Sequence, residues 1–533
     1  MRDSTNKSYD VAIVGAGFAG MYMLHKSRQM GFSAHVFERA TDVGGTWYWN
    51  RYPGARCDVP SMEYSYQFDD DLQQEWEWTE KYSGQPEILR YAGHVADRFD
   101  LRSDITFETS VTSALYDESA NRWTLTTDNG ASTSAQFVVM ATGCLSSENT
   151  PSFAGMDEFQ GQIFHTGKWP HDGVDFTGKR VAVIGTGSSG IQAIPVIANE
   201  AEHLTIFQRT ANYSIPARNE PLKPEFQEDI KANYTEFRAA NSLENGGFGS
   251  RTRRGMIGAL EADEEERYLE FERRWDEGGF GFLSAYNDHL LTMDSNDTAA
   301  EFVRRKIAGI VRDPDTAALL SPAQVLGCKR LCLDTGYFET FNRPNVDLVD
   351  VSEQPASMTS SGVVSNGQEV EVDCIVLATG FDAMTGTLLR IDIRGRDDLT
   401  IQDKWSEGPR TYLGLQIPGF PNLFTISGPG SPSVLTNMIV SIEQHVEWIA
   451  DCIGHLRTND MAAIEATVEA ENEWVGHVNA VADLTLFPTC NSWYLGANVP
   501  GKTRVFMPLI GYPPYVEKCN EVVANGYEGF VLT

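Results

Sequence analysis

"YDVAIVGAGFAGMYML" (residues 9–24) decides the fold. An apolar strand runs into Gly15-x-Gly17-x-x-Gly20, and a helical run follows at once. The first glycine permits the tight turn and the second lets the backbone approach a pyrophosphate. The third lets helix pack on strand, and the helix N-terminus faces the phosphates. The motif is weak alone, so its surroundings must support it. They do: "SAHVFER" (33–39) reads as a second strand ending at Glu38, where a carboxylate binds a ribose hydroxyl. An adenine dinucleotide with an unmodified ribose fits, either FAD or NAD.

The pattern returns in "KRVAVIGTGSSGIQAI" (179–194), with Gly185, Thr186, Gly187, Ser188, Ser189, Gly190 and Gln192 between a strand and a helix. The next strand, "HLTIFQRT" (203–210), ends in Gln208, Arg209 and Thr210 in place of an acid. A carboxylate there would repel a 2′-phosphate, whereas Arg209 and Thr210 can hold one. The second site therefore prefers NADPH. "FVVMATG" (137–143) and "CIVLATG" (374–380) repeat one another and read as the closing strands of the two units. Because the second lies so far downstream, the NADPH unit is expected to be nested in the first. The fold class is α/β, with two Rossmann-like dinucleotide-binding domains. The expected division is 1–147 and 382–533 for the FAD domain and 148–381 for the NADPH domain. A helical insertion at about 216–325 includes the charged run "EADEEERYLEFERRWDEGG" (261–279), read as a solvated face.

Bulk composition sets limits. A chain of 533 residues needs two or three domains, and 41% hydrophobic with 22% charged residues is a globular composition. A net charge of -32 argues against nucleic acid, which needs clustered Lys and Arg. No apolar run is long enough to span a bilayer. No leader is read before Tyr9, and the eight scattered cysteines form no C-x-x-C pair. The expectation is a cytoplasmic protein with reduced thiols, Cys328 and Cys332 among them. The absence of a redox cysteine pair also argues against a disulfide reductase.

Two further stretches are specific enough to indicate a family. "GGTWYWNRYPGARCD" (44–58) and "FQGQIFHTGKWP" (159–170) together resemble the type I Baeyer–Villiger monooxygenases, in the phenylacetone and steroid monooxygenase branch. The fingerprint F-x-G-x-x-x-H-x-x-x-W-P is met at Phe159, Gly161, His165, Trp169 and Pro170. "CKRLCL" (328–333), "GPGSPSVLTNM" (428–438) and "NSWYLGANVPGK" (491–502) extend the resemblance along the chain. A local departure is "GYPPY" (511–515), whose prolines are expected to stiffen a turn.

The resemblance implies FAD and NADPH as cofactors and a small ketone and O2 as substrates. One oxygen atom is inserted beside the carbonyl, through a C4a-peroxyflavin, to give an ester or lactone. It implies Arg330 as the catalytic cation, paired with Asp58, and Lys329 on the nicotinamide nucleotide. FAD contacts carry over to Gly15, Gly17, Phe18, Gly20, Glu38, Thr46, Trp47, Tyr48, Trp49, Asp58, Tyr64, Val111 and Met438. NADP contacts add Arg56, Cys57 and Trp493, the last on a lid. Cys144, Leu435 and Met438 would line the substrate pocket, though plain core packing accounts for them equally well. The fingerprint would be a linker between the domains and not part of the chemistry. A flavin monooxygenase acting on nitrogen or sulfur is the alternative. The ketone and the oligomeric state stay open.

Overall fold

The computed structural model describes residues 7–496 and 511–533. Its largest sheet has eight strands. In spatial order these are Asp392–Arg394, Val111–Asp117, Arg122–Thr127, Ser132–Met140, Lys7–Val14, Ala34–Phe37 and Ile105–Thr106, with Leu423–Thr425 also paired to Ser132–Met140. Val11, Ala12 and Ile13 are wholly buried, as a parallel strand covered on both faces requires. Two strands of this sheet thus come from far beyond the rest, across the whole second unit.

A five-stranded sheet, parallel throughout, runs Val346–Asp350, His203–Gln208, Arg180–Ile184, Cys374–Leu377 and Gln162–His165. The two sheets repeat one arrangement. Val14 lies between Phe37 and Met140, and Ile184 lies between Phe207 and Leu377. The next residue is in each case a glycine at positive φ, +103° at Gly15 and +109° at Gly185. A Cβ there would meet the carbonyl oxygen of Ala141 at 2.7 Å or of Ala378 at 2.5 Å. No other residue type fits either turn. The two "ATG" segments therefore hold the glycine loops from behind, which explains why they recur.

The insertion is helical, with Pro224–Ala232, Tyr234–Ser242, Glu264–Glu277, Met293–Ile310 and Pro314–Leu320. Asp263 caps Glu264–Glu277 by accepting from the Glu266 N–H, and three glutamates fill its first turn, where the helix dipole favours them. The solvated-face reading covers only half of this helix. Phe271, Arg274 and Trp275 are buried, and Phe271 packs on Phe282 and Phe302.

Part of the fingerprint, Gln162–His165, forms an edge strand paired with Cys374–Leu377. Two expectations are corrected. Pro513 and Pro514 do not stiffen a turn: they lie in the first turn of the helix Tyr512–Ala524, where the missing N–H costs nothing. Cys328 and Cys490 are joined in a disulfide, with Cα atoms 6.1 Å apart and a separation of 162 positions in sequence. The other six cysteines are free and buried. No helix among the described residues is long and apolar enough to cross a membrane.

Candidate active site

A cavity of about 610 Å³ extends from the first glycine loop to the start of the helix Ser188–Glu200 and to Arg330. Gly15, Gly17, Phe18, Glu38, Thr46, Trp47, Trp49, Asp58, Tyr64, Val111 and Met438 line it, eleven of the residues expected around FAD. Gly20 and Tyr48 do not: Gly20 packs beneath the loop, and the Tyr48 ring faces His171 at 4.8 Å. Of the expected NADP residues, Arg56, Cys57, Ser188, Ser189, Gln192, Arg330 and Trp493 line the same cavity. Gly185, Thr186, Gly187, Gly190, Arg209, Thr210 and Lys329 lie outside it. Cys144 is on the wall, but Leu435 is not: it packs on an apolar cluster with Cys144, Val434, Phe487 and Tyr494.

The residues present fit two dinucleotides. Both helices behind the glycine loops begin at a glycine that offers no side-chain cap, which leaves their first N–H groups for an anion. At Gly187 an added Cβ would meet nothing within 4 Å. Glu38, 5% exposed, accepts from the Ala16 N–H at 2.6 Å and the Ala40 N–H at 2.7 Å, so its carboxylate is fixed at the strand end facing the cavity. In the second unit, buried Gln208 turns inward and donates to Leu319 O at 2.8 Å, while Arg209 and Thr210 remain exposed. Burial lowers the pKa of Lys329, and the Arg209 charge lowers it further. Two cations thus converge beyond the second loop. Lys329 therefore lies within electrostatic reach of Arg209.

Arg330 occupies the meeting point. Its Nε donates to Asp58 Oδ2 at 2.9 Å and its Nη2 to Asp58 Oδ1 at 2.9 Å, a two-point ion pair between residues 272 apart. Nη1 donates to Val434 O at 2.5 Å. The two side chains are 22% and 28% exposed. Burial opposes the Arg330 charge, but the Asp58 carboxylate, Tyr494 and Cys57 together outweigh it and the guanidinium pKa is raised. A permanent cation in a partly dry cavity can stabilise negative charge on a substrate oxygen. Burial pushes the Cys144 thiol up to about 11, so that wall is neutral.

The signature around residues 44–58 binds the two units together. Tyr52 donates to Gln192 Oε1 at 2.8 Å, and Gln192 Nε2 donates to Arg56 O at 3.2 Å. Arg56 is held by Glu80 at 2.9 Å and by Tyr82 O at 2.8 Å. The fingerprint residues Phe159, Gly161, His165, Trp169 and Pro170 stay off the cavity wall. His165 Nδ1 accepts from the Gly167 N–H at 2.9 Å. Its Nε2 faces Asn149 O at 3.3 Å and Thr379 Oγ1 at 3.1 Å. It ties together the two crossing segments near 149 and 379. Burial lowers its pKa, in keeping with a neutral ring that bridges. Trp169 is buried against Phe164 and Phe176.

Sequence reasoning missed Glu80 and Phe280. Nothing local marks Glu80. Phe280 follows the doublet Gly278-Gly279, a turn signal that could have drawn notice.

A family model described as flavin-binding monooxygenase-like matches residues 8–220. A Baeyer–Villiger monooxygenase of Pseudooceanicola batsensis is 42% identical, over 98% of this chain and 96% of that protein. The chain belongs to the type I Baeyer–Villiger monooxygenases. A cyclohexanone 1,2-monooxygenase of Acinetobacter sp is 41% identical over 99% of this chain and 97% of its own length. Among solved structures, an oxidized steroid monooxygenase bound to NADP is 52% identical with a TM-score of 0.94, covering 99% of both chains. The two-sheet α/β architecture described above is thus shared with this solved structure along nearly the whole of both chains.

Proposed function

We propose that the protein inserts one oxygen atom of O2 beside the carbonyl of a small ketone, giving an ester or lactone at the expense of NADPH. The observation that carries this reading is Arg330, clamped by Asp58 in a cavity that the first glycine loop and the second helix start both reach. The first loop, Glu38, Thr46 to Trp49, Asp58 and Tyr64 would hold FAD, which when bound would supply the oxygen-activating chemistry. The chain's own work is to place charge and exclude water. Arg330 stabilises negative charge as it develops on the ketone oxygen, and its charge survives any working pH. Asp58 fixes the direction in which the Nε–Nη2 edge of the guanidinium points. Arg209, Thr210 and Lys329 take the 2′-phosphate of NADPH, and Arg56, Cys57, Ser188, Ser189, Gln192 and Trp493 take the remainder. Cys144 and Met438 form an apolar wall for the ketone. Residues 1–147 and 382–533 form the FAD domain, with 148–381 as the NADPH domain, and His165 acts at the crossing between them. The chain works in the cytoplasm, with no nucleic acid as a partner.

NADPH consumption measured with aryl, cyclic and steroid ketones, with products identified by gas chromatography and mass spectrometry, tests the reading. Ester or lactone formed one for one with NADPH is expected. Ketone-independent consumption, or oxidation confined to amines and thioethers, would overturn it.

A further inference from the structure

Phe280 comes from the helical insertion, far in sequence from either signature. The centre of its ring lies 4.7 Å from the guanidinium carbon of Arg330. Phe280 does not line the cavity. Its ring lies against the guanidinium. The chain is turned toward this place by Gly278 and Gly279, at φ +70° and +77°. A Cβ on Gly279 would strike the Tyr82 hydroxyl, so the turn is built for close approach. Phe280 packs with the second unit's core and Phe248 with that of the first, and the two rings meet edge to face at 6.0 Å and 68°.

The N–H groups of Arg330 point outward in the guanidinium plane, and its partners are Asp58, Val434 O and the Tyr494 side chain. Asp58 and Val434 O take three of its five N–H donors and resist rotation within that plane. They resist rocking out of it far less. An aromatic face, negative at its centre, supplies that second restraint.

We propose that Phe280 is a positioning residue for Arg330, a cation–π floor that keeps the guanidinium level beneath the reacting ketone. The inference rests on the role of Arg330 given above, and it gives the insertion a part in the reaction. If the floor is lost, Arg330 stays charged and paired but samples tilted orientations. More of the NADPH consumed then ends as hydrogen peroxide and less as ester.

The test replaces Phe280 in the holoenzyme with 4-fluoro-, 3,5-difluoro- and pentafluorophenylalanine. These keep the ring's shape while stripping negative charge from its face. Phe280→Leu and Phe280→Tyr provide natural side chains for comparison. Ester formed per NADPH should fall stepwise with fluorination, by roughly 3- to 30-fold at the pentafluoro end. Phe280→Tyr should restore it and Phe280→Leu should not. FAD content and melting temperature should hold across the fluorinated series. The Arg330 Nε–H resonance, assigned by its loss in Arg330→Lys, should broaden as the face weakens. A flat ester yield across the series, or wild-type yield in Phe280→Leu, would overturn the proposal. An unmodified protein that makes no ester from any ketone would instead refute the proposed function.

Discussion

Asp58→Asn is the sharpest probe of the site, because it keeps shape and removes only charge. In the native pair two donors of Arg330 meet two carboxylate oxygens at 2.9 Å each, with both side chains less than a third exposed. Asparagine keeps one acceptor oxygen and turns an NH2 toward the second donor. One charge-assisted hydrogen bond is lost, and the other keeps the arginine's charge but loses the carboxylate's. A bond to a charged group is worth about 1.5–3 kcal/mol and the weakening of the second about 0.5–1, so the variant should lose roughly 2–4 kcal/mol of orientation at Arg330. That corresponds to roughly 30- to 1000-fold in ester formation if the lost orientation is expressed in the oxygenation step. Deleting the cation itself by Arg330→Ala sets the ceiling, about 10²–10³ or more. The assay is ester by gas chromatography beside hydrogen peroxide by a peroxidase couple, on protein matched for FAD content. Peroxide should account for the NADPH that ester no longer does. An Asp58→Asn enzyme within about three-fold of wild type would refute the idea that the pair orients the cation.

Arg209→Ala should weaken NADPH by roughly 10- to 150-fold, the worth of one charge-assisted phosphate contact, and leave NADH little changed; equal losses measured by titration would remove Arg209 from the phosphate site. His165→Ala should lower turnover while FAD stays bound, since the ring bridges Asn149 and Thr379 away from the cavity; loss of flavin would mean its role is only to hold the fold. Burial pushes the Glu443 carboxyl up to about 8, against the opposing backbone N–H of Gln67 and the charge of Arg238. A carboxyl raised on folding stabilises fully below its unfolded pKa near 4.5, and that contribution is lost as pH climbs through the folded value. Glu443→Gln should therefore match wild type near pH 4.5 and exceed it by pH 8, on the order of 4 kcal/mol, in melting curves taken across that window. Parallel curves would show that the carboxyl does not titrate there.

The two nucleotide loops were legible because their requirements are local. Gly15 and Gly185 are dictated by one backbone carbonyl each, and both carbonyls sit in the recognisable "ATG" repeats. Arg330 and Asp58 stand 272 residues apart, so no spacing rule could pair them, and only resemblance to a family set them together. The packing of Leu435 away from the cavity was illegible for another reason: apolar walls and apolar cores use the same side chains. The prolines at 513 and 514 were misread because a proline pair suits a turn and a helix start equally, and only the following residues decide. Phe280 belongs to the helical insertion, whose charge pattern hides a ring that reaches Arg330.

The disulfide between Cys328 and Cys490 sets a leash length. Lys329 and Arg330 follow immediately on one side, and Trp493, on the cavity wall, comes three residues after the other. Three residues of chain stretch to no more than about 11 Å, and Cys490 is pinned 6.1 Å from Cys328, so while the bond stands Trp493 can swing only within roughly 17 Å of Cys328, two residues before Arg330. A roof so tethered can tilt and slide, but it cannot leave. Closing a loop of 162 residues is also worth about 5 kcal/mol to the folded chain in the chain-entropy account. A mild reductant should then lower the melting temperature and lengthen the leash together, and Cys490→Ser should make the enzyme indifferent to it.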